Sequence, residues 1–463
     1  MNTVELTAID FSHLLEKQKK YFSEGYTLAV KSRREALLRL KKSIELHESE
    51  ILRALHTDLR KSEFEAWATE LGIVYQEIQL HYKNLPKWAK GKRVPTNQLI
   101  HFWSVSRILP QPYGQTLIIA PWNYPFQLVM MPLIGALSAG NTAVIKPSEF
   151  TPTVASVIEK IISKTFDDSY VKVLPGGPEV SKALLELKWD KIFFTGSPRV
   201  GKIVYEAAAK HLTPVVLELG GKSPTIVTEK ANIDVAARRI VWGKFINAGQ
   251  TCIAPDYILV HRSIKEPLIE KLKEYIRKFY GQNPAENAEY PAIVNRSHAE
   301  RITNYIRHSK VLYGGHADIN RRYIEPTVVE ATADQPVMQE EIFGPVLPIL
   351  TFETVYEAIQ FINERPKPLA LYIFSEDSKE QDLILQKTSS GSAAINEVVM
   401  QVANDHLPFG GVGNSGMGNY HGKRSFDCFS HERSVLYKST WIDIPLRYPP
   451  FGNKIKWVKN LLK

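Results

Sequence analysis

Residues 115–120 read QTLIIA, and four further β-rich runs follow this one at short intervals. These runs are TAVIK (142–146), YVKVL (170–174), KIFFT (191–195) and VVLEL (215–219). Amphipathic stretches typical of helices separate most of them, at residues 152–164, 178–187 and 200–210. Because strands alternate with helices, the sequence predicts a parallel, doubly wound sheet. Ligands of such sheets bind at the carboxyl ends of the strands.

The same alternation continues in the second half of the chain. Strand-like runs lie at Thr225–Thr228, Tyr257–His261, Val346–Phe352, Leu369–Phe374 and Ser392–Ile395. Helical spacing separates several of them, at Ile233–Ile246, Ile264–Phe279, Thr354–Asn363 and Lys379–Lys387. The Gly220-Gly221 pair interrupts the pattern, so we expect two α/β domains that join near residues 218–224. Apolar spacing from Leu37 to Leu55 and from Trp67 to His81 predicts two helices at the start of the chain.

Composition places few limits on the partners of this protein. The chain has 463 residues, 44% of them hydrophobic, which is enough for a large core. Its net charge of +9 could favour anionic ligands. However, the Lys and Arg residues are spread along the chain without an arginine-rich run, so we read a solvated basic surface and predict no nucleic-acid partner.

The cysteine content and the N-terminus suggest a location. Cys252 and Cys428 are the two cysteines, too few for the disulfide framework of a secreted protein. Residues 1–16 carry acidic side chains and lack the apolar core of a signal peptide. The most apolar stretch, Phe126–Ile145, is broken by Pro132, glycines and polar residues, which favours a buried helix and strand over a membrane span. We therefore expect a cytoplasmic protein.

Cys252 is a candidate nucleophile. It lies in GQTCIAP (249–255), between a helical pattern and a strand, where a loop can expose a thiol. A thiolate in such a position can attack a carbonyl carbon and form a covalent intermediate. Taken alone, a buried and inert thiol explains the residue equally well.

Glu218 and Asn123 are candidate partners of that thiol. Glu218 ends an apolar strand just before two glycines, where partial desolvation would raise its pKa toward that of a general base. Asn123 follows the strand that ends at Ala120, and its amide can donate to a developing oxyanion. In isolation, Glu218 could also be a water-facing strand end and Asn123 a turn or helix cap.

Two strand-to-helix segments can hold a dinucleotide. FTGSPRVG (194–201) runs from a strand into a helix, whose N-terminus binds phosphate through free backbone N–H groups. It lacks the full G-x-G-x-x-G fingerprint. KPSE (146–149) also follows a strand, and Lys146 and Glu149 can bond ribose hydroxyls. For both segments an ordinary turn is the alternative.

Taken together, these segments resemble the aldehyde dehydrogenase superfamily, in the family's order. The matching motifs are PWNYP (121–125), KPSE (146–149), FTGS (194–197), ELGGKSP (218–224), GQTC (249–252) and EEIFGPV (340–346). The Glu218-to-Cys252 interval also fits. The tail, from LPFGGVGNSGMG (407–418) through YHGK (420–423) to FSH (429–431), is similar to the class 3 branch, which includes fatty-aldehyde dehydrogenases.

The resemblance implies a role for each matching position. Cys252 would be the nucleophile, and its backbone N–H would join Asn123 in an oxyanion hole. Glu218 would activate the water that releases the acid. The implied cofactor residues are Gly196 and Ser197 at the pyrophosphate, Val200 beside the adenine, Lys146 and Glu149 at the adenosine ribose, and Glu341 and Phe343 at the nicotinamide ribose and ring. No metal site is predicted.

The implied function is NAD(P)-dependent oxidation of medium or long aliphatic or aromatic aldehydes to acids, in a homodimer. Glu149 near the ribose favours NAD, with NADP as the alternative because Lys146 offsets that charge. The implied fold has a Rossmann-like NAD(P)-binding domain (1–218, with a bridging segment near 90–110), a catalytic domain (219–400), a small β bridging element (401–440) and a tail (441–463). A cofactor-free cysteine esterase and a non-enzymatic binding protein are the competing interpretations.

The C-terminal tail is basic and amphipathic. Ile455, Val458, Leu461 and Leu462 share one helical face, and lysines lie elsewhere. Such segments can lie on anionic membranes, although this one is too short to span a bilayer. Packing on the same domain or on a partner subunit is the alternative.

Overall fold

The computed structural model describes residues 8–443 and 445–462 of the chain. Met1–Thr7, which belong to the N-terminal segment discussed above, and Lys463 of the tail lie outside the described residues. The side chains of Leu461 and Leu462 on the predicted apolar face are also outside them.

Helices dominate the first part of the chain, in more pieces than the sequence pattern predicts. They are α1 (Ala8–Ser23), α2 (Val30–Leu46), α3 (Glu48–Leu59), α4 (Glu63–Ala66) and α5 (Gly72–Trp88). His47, with φ −112° and ψ 12°, separates α2 from α3. A π-helical turn at Trp67–Leu71 joins α4 to α5. The two predicted helices were therefore wrong in extent, because apolar spacing does not register a break of one residue.

The next segment alternates strands and helices as predicted. Its strands are β1 (Lys92–Val94), β2 (Ser104–Pro112), β3 (Gln115–Ile119), β4 (Thr142–Lys146), β5 (Val171–Val173), β6 (Lys191–Thr195) and β7 (Val215–Glu218). Its helices are α6 (Gln127–Ala139), α7 (Pro152–Thr165), α8 (Pro178–Leu185) and α9 (Pro198–Ala209). The apolar stretch at residues 126–145 forms the buried helix α6 and strand β4.

The second half continues the alternation. Its strands are β8 (Pro224–Val227), β9 (Tyr257–His261), β10 (Lys310–Tyr313), β11 (Ala317–Asp318), β12 (Tyr323–Ile324), β13 (Thr327–Glu330), β14 (Val346–Phe352), β15 (Ala370–Phe374) and β16 (Ser392–Ile395). Its helices are α10 (Ile233–Phe245), α11 (Lys265–Tyr280), α12 (Arg296–Arg307), α13 (Val355–Asn363) and α14 (Ser378–Lys387). The chain ends with β17 (Gly416–Met417), α15 (Lys423–Cys428), β18 (Ser430–Lys438) and α16 (Ile455–Leu462).

Two large sheets organise the molecule. A six-stranded sheet has the order β17-β7-β6-β3-β4-β5, and all of its pairings are parallel except that of β17. A seven-stranded sheet has the order β10-β13-β14-β9-β8-β15-β16, parallel except at β10. Both sheets carry helices, which confirms the predicted α/β class with a doubly wound arrangement.

A third, antiparallel sheet joins distant parts of the chain. Strand β2 pairs with β1 on one side and with β18 on the other, over nine residue pairs from Ser104↔Lys438 to Pro112↔Ser430. Buried polar contacts tie this returning segment to the first helices, since Glu77 accepts from the Gly422 N–H and the Ser425 hydroxyl. The sheet is the small β element that the family resemblance implied.

The strand register places the predicted site residues at one edge. In the six-stranded sheet Ile119 pairs with both Lys146 and Phe194, and Thr195 pairs with Glu218. The carboxyl ends of β3, β4, β6 and β7 therefore lie side by side, and the loops that follow them meet at that edge.

Candidate active site

Seven of the predicted site residues line one cavity of about 840 Å³ at this edge. They are Asn123, Gly196, Ser197, Glu218, Cys252, Glu341 and Phe343. The other three, Lys146, Glu149 and Val200, lie outside its lining. Cavities of about 300–1,000 Å³ are usual for small-molecule and cofactor sites. The structure thus brings the predicted thiol, carboxylate and amide to a cavity that also borders the FTGS segment (194–197), whereas the KPSE segment (146–149) lies outside its lining.

The loop that carries Cys252 begins with a left-handed turn. Helix α10 ends at Phe245, and Asn247 and Ala248 then both adopt φ 51°. Non-glycine residues adopt this conformation rarely, and such strain is found mostly at functional sites. The buried Gln250 fixes the loop, because its amide donates to the Asn247 and Ala292 carbonyls and accepts from the Val294 N–H. Cys252 itself is half-buried and free.

Asn123 is held from both its backbone and its side chain. Its carbonyl accepts hydrogen bonds from Lys61 Nζ (3.1 Å) and Asn247 Nδ2 (2.9 Å). Its own Nδ2 donates to the Gln250 carbonyl at 3.0 Å. Because an amide nitrogen carries two hydrogens, the bond to the Gln250 carbonyl uses one of them and leaves the second. The amide is therefore placed in the cavity wall with one donor to spare.

A buried ion pair supports Asn123, and sequence reasoning missed it. Lys61 Nζ lies 2.6 Å from Glu70 Oε1, and both side chains are fully buried. The other Glu70 oxygen accepts the Phe126 and Gln127 N–H groups. The ammonium also lies 3.9 Å from the centre of the Tyr124 ring. A basic and an acidic residue nine positions apart are ordinary in a helical region, so no local signal reveals this pair.

Glu218 is the most unusual ionisable group of the cavity. The residue is 2% exposed, and neither carboxylate oxygen has a hydrogen-bond partner within the described part of the chain. Burial alone raises its pKa well above the ordinary carboxyl value. A carboxylate in this environment takes up a proton readily, which is what a general base must do.

The Cys252 thiol is shielded by the same environment. Burial is the largest cause that raises its pKa, and the nearby carboxylates of Glu341 and Glu218 raise it further. A positively charged group bound beside it would favour the thiolate.

The loop of Glu341 and Phe343 interlocks with the Gly220–Lys222 turn. Glu341 contacts the Gly221 N–H, and a Cβ atom at Gly220 would meet its carboxylate at 2.0 Å. Burial and the neighbouring Asp256 raise the Glu341 pKa to about 8. Phe343 has φ 48°, and its ring packs edge-on against Trp122 with 5.2 Å between centroids.

Lys222 and Asp256 hold the loop of Glu341 and Phe343 in place. Lys222 Nζ donates to the Val337 and Glu340 carbonyls at 2.9 and 2.8 Å and to the Asp256 carboxylate. The second Asp256 oxygen accepts the Ile342 N–H at 2.9 Å. Neither residue stands out in the sequence as a site residue, although the position of Lys222 within the ELGGKSP motif could have indicated it.

The predicted adenosine segments also have defined geometry. Lys146 and Glu149 form an ion pair of 2.7 Å at the end of β4, with Lys146 buried. The Ser197 hydroxyl caps α9 by accepting the Val200 N–H at 3.4 Å. Pro198 opens that helix, and Arg199 lines the cavity.

The residues present fit a dinucleotide. The cavity offers a helix N-terminus for phosphates at Ser197, a carboxylate for ribose hydroxyls at Glu341 and an aromatic ring at Phe343. No cluster of three or more His, Cys, Asp or Glu side chains suited to a metal occurs in residues 8–443 and 445–462.

Comparison with known proteins identifies the class. The profile of the aldehyde dehydrogenase family matches residues 2–435, so this chain belongs to the aldehyde dehydrogenase family. It is an oxidoreductase of the class that oxidises aldehydes with NAD or NADP.

The most similar relatives narrow the branch. The chain is 52% identical to 4,4'-diaponeurosporen-aldehyde dehydrogenase of Staphylococcus aureus (strain NCTC 8325 / PS 47), over 96% of this chain and 97% of that protein. It is 45% identical to aldehyde dehydrogenase family 3 member A2 of Macaca fascicularis, over 97% and 93%. The solved substrate-bound state of Staphylococcus aureus AldH superposes with TM-score 0.96 at 51% identity, over 98% and 99%. These matches confirm the class 3 resemblance.

Relatives of both cofactor types occur. PnpE, solved in complex with nicotinamide adenine dinucleotide, matches with TM-score 0.85 at 28% identity, over 95% of this chain and 91% of that one. The dimeric NADP-preferring aldehyde dehydrogenase of Canis lupus familiaris is 44% identical over 95% and 97%. The predicted use of NAD, with NADP as the alternative, agrees with these relatives.

Proposed function

We propose that this enzyme oxidises apolar aldehydes to carboxylic acids through a thioester on Cys252 that Glu218 helps to hydrolyse. One observation carries the proposal. The lone loop thiol, an unpartnered buried carboxylate and an amide with a spare donor all border the cavity that fits a dinucleotide.

Aldehyde addition is the first step. The Cys252 thiolate forms a bond to the carbonyl carbon, and the carbonyl π electrons move to oxygen, giving a thiohemiacetal alkoxide. Asn123 Nδ2 and the Cys252 backbone N–H donate to that oxyanion. A single such donor contributes about 2.7–4 kcal/mol to transition-state stabilisation.

Thioester hydrolysis completes the reaction. Glu341 and Phe343 would hold the nicotinamide half of a bound dinucleotide, which would supply the acceptor for the hydride that the adduct loses when it becomes a thioester. Glu218 then takes a proton from a water molecule. The water oxygen adds to the thioester carbon, the carbon–sulfur bond breaks, and the acid leaves with the Cys252 thiolate restored.

The dinucleotide would extend along the edge of the six-stranded sheet. Gly196 and Ser197 would hold the pyrophosphate, Val200 the adenine, and Lys146 and Glu149 the adenosine ribose. Because the Lys146 ammonium is paired with Glu149, little positive charge is left for a 2′-phosphate. NAD is therefore the preferred cofactor in this proposal, and NADP the weaker one.

An extended apolar aldehyde is the proposed substrate class. The relatives named 4,4'-diaponeurosporen-aldehyde dehydrogenase and aldehyde dehydrogenase family 3 member A2 support this substrate class. So does the apolar environment of Cys252, which packs against the main hydrophobic cluster of the chain. Medium and long aliphatic aldehydes and aromatic aldehydes are the classes to compare.

The domain organisation follows from the two large sheets. Residues 1–218 would form the NAD(P)-binding domain and residues 219–400 the catalytic domain. Segments near 90–110 and 401–440 would bridge them through the sheet of β1, β2 and β18.

Assembly and location belong to the same proposal. Strand β18 lies at the edge of the three-stranded sheet, and a second copy of the chain in a homodimer would add to that edge. The enzyme would be cytoplasmic. Among the described residues no helix has the length and apolar content needed to cross a membrane, so any contact with a bilayer would be peripheral, through the basic tail.

The Cys252→Ala variant tests the proposal. We expect it to form no NADH from an aldehyde while binding NAD as the wild type does, because the change removes the nucleophile and leaves the dinucleotide contacts. The Cys428→Ala variant, which removes the other thiol, is the matched control and should keep wild-type turnover. Wild-type turnover by Cys252→Ala would refute the proposed mechanism.

A further inference from the structure

The segment that follows β16 is strained beside the thiol loop. Asn396 and Val399 adopt φ 54° and 65°. A β-branched side chain such as that of Val399 rarely adopts this conformation. Strain of this kind persists where the surroundings fix the backbone, often at a functional site. Here the Asn396 backbone N–H donates to the Ile373 carbonyl at 2.7 Å, and its side chain accepts the Ser375 N–H at 3.0 Å.

One buried hydroxyl connects this segment to Cys252. Tyr372 lies in β15 and is fully buried. Its hydroxyl donates to the carbonyl of Ile253, the residue after Cys252, at 2.5 Å. The same oxygen accepts the Gln401 side-chain amide at 3.3 Å. The hydroxyl thus donates to the thiol loop and accepts from the segment that follows β16.

Gln401 contributes a donor at a cost. Its Nε2 bonds Tyr372, whereas its buried Oε1 has no partner within the described residues. A buried and unpaired amide oxygen destabilises a fold, and an apolar side chain of similar size would avoid it. The Gln401 Nε2 donates to the Tyr372 hydroxyl at 3.3 Å and also to the Ser392 hydroxyl at 3.4 Å.

The backbone is therefore anchored on both sides of Cys252, at the Gln250–Thr251 peptide and at the Ile253–Ala254 peptide. The Gln250 carbonyl on one side accepts from Asn123 Nδ2 and Asn247 Nδ2. The Ile253 carbonyl on the other side accepts from Tyr372. The direction of the Cys252 N–H and the position of its sulfur depend on both anchors. Misplacement of a reacting group by about 1 Å can cost about a hundredfold in rate.

The strained segment lies outside the cofactor cavity. None of residues 396–401 belongs to the lining of that cavity. Val398 and Val399 instead belong to the apolar cluster against which Cys252 packs. The segment therefore borders the thiol loop without lining the cofactor cavity.

We propose that Tyr372 is a positioning residue for aldehyde addition, whose hydroxyl anchors the Ile253 carbonyl, one peptide beyond Cys252, to the segment 396–401. The inference rests on the proposed role of Cys252 as nucleophile. It assigns to Tyr372 no contact with the aldehyde or the cofactor. Its hydroxyl acts through the Ile253 carbonyl and so affects addition more than dinucleotide binding.

The Tyr372→Phe variant removes the hydroxyl and keeps the ring. We expect the pre-steady-state burst of NADH to slow about tenfold, with the NAD dissociation constant within about twofold of wild type. Tyr290→Phe is the matched control, because its buried hydroxyl also donates to a backbone carbonyl, that of Ile324 at 2.9 Å. That control should retain the wild-type burst.

A second readout does not depend on turnover. Iodoacetamide labelling, quantified peptide by peptide, reports the reactivity of Cys252 with Cys428 as an internal reference. We expect the Cys252 rate to change at least threefold in Tyr372→Phe, and in the same direction in Gln401→Leu, which removes the donor without removing the ring. The Cys428 rate should stay constant.

The outcomes separate the two levels of the argument. A burst and a Cys252 labelling rate that match those of Tyr290→Phe would overturn the role of Tyr372. So would a higher NAD dissociation constant together with a burst that returns to the wild-type rate at saturating NAD. An absence of NADH formation in the wild type, with Cys252 labelling still altered in Tyr372→Phe, would leave the coupling intact and refute the proposed function instead.

Discussion

At the scale of single residues, Glu218 has an isolated carboxylate that lowers the stability of the fold and leaves its oxygens free to react. A buried carboxylate without hydrogen-bond partners disfavours its charged form, and the raised pKa expresses this cost. The same isolation leaves both oxygens available to a water molecule. Glu218 therefore belongs with groups that weaken a fold and serve a reaction.

The raised pKa of Glu218 predicts how stability changes with pH. The folded state binds the Glu218 proton more tightly than the unfolded state does. Protonation of Glu218 therefore stabilises the fold fully at pH values below the pKa that this residue has in the unfolded chain. That effect is lost as the pH rises toward the higher folded pKa. Glu218→Gln should therefore gain in melting temperature over wild type as the pH rises from about 5 to about 8.5.

Glutamates and lysines elsewhere titrate equally in the two proteins, so the difference between them isolates Glu218. Thermal unfolding of both proteins across that pH range makes the measurement. A constant or shrinking difference in melting temperature would contradict the buried, unpartnered state of this carboxylate.

At the scale of elements, two loops hold each other in place. The turn after β7 supplies Lys222, which bonds the backbone of the loop that carries Glu341 and Phe343. The Glu341 carboxylate of that loop in turn contacts the Gly221 N–H. The side of the cavity formed by Glu341 and Phe343 is thus organised without a ligand, which would lower the cost of ordering it when a cofactor binds.

The Lys222→Met variant tests this interlock. It removes three hydrogen bonds and leaves the Asp256 carboxylate without its cation, so the loop should lose its fixed position. We expect the NAD dissociation constant to rise about tenfold, which corresponds to about 1.4 kcal/mol. Fluorescence titration with NAD measures it.

Lys230→Met is the matched control, because Lys230 pairs with Asp377 and Glu380 away from the cavity. Its NAD affinity should equal that of the wild type. Equal affinity in Lys222→Met as well would show that the loop keeps its place without the lysine.

The contacts that sequence reasoning missed share one physical property. The predicted residues stand in short motifs at strand ends, where local chemistry and chain order suffice to predict a common edge. Lys61 and Asn123 are 62 positions apart, and Tyr372 and Ile253 are 119 apart. Nothing in local spacing indicates that such residues meet, since their approach depends on how sheets and helices pack. The break at His47 was missed for the opposite reason, because it involves a single residue.

At the scale of the whole molecule, the last strand pairs with an early strand, and a C-terminal tail then extends beyond the three-stranded sheet. Strand β18 pairs with β2 and closes the three-stranded sheet. Beyond it, Ile455 and Trp457 of α16 are 60% and 72% exposed. Within the described part of the chain these two apolar side chains are therefore mostly open to solvent.

Deletion of the residues after Pro450 tests the tail. We expect the full chain to sediment with anionic liposomes more than the truncated one, because lysines and exposed apolar side chains together favour an anionic surface. Neutral liposomes serve as the control. Equal sedimentation of the two proteins with anionic liposomes would exclude the membrane role.

The proposed function depends on a thioester that forms on Cys252 and is hydrolysed with the help of Glu218. Intact-mass analysis of Glu218→Gln mixed with saturating NAD and an aldehyde tests it most directly, because hydrolysis should stall while addition and oxidation proceed. We predict one added acyl group, located on Cys252 by peptide mapping. Absence of any adduct in this variant, or an adduct on a different residue, would contradict the claim.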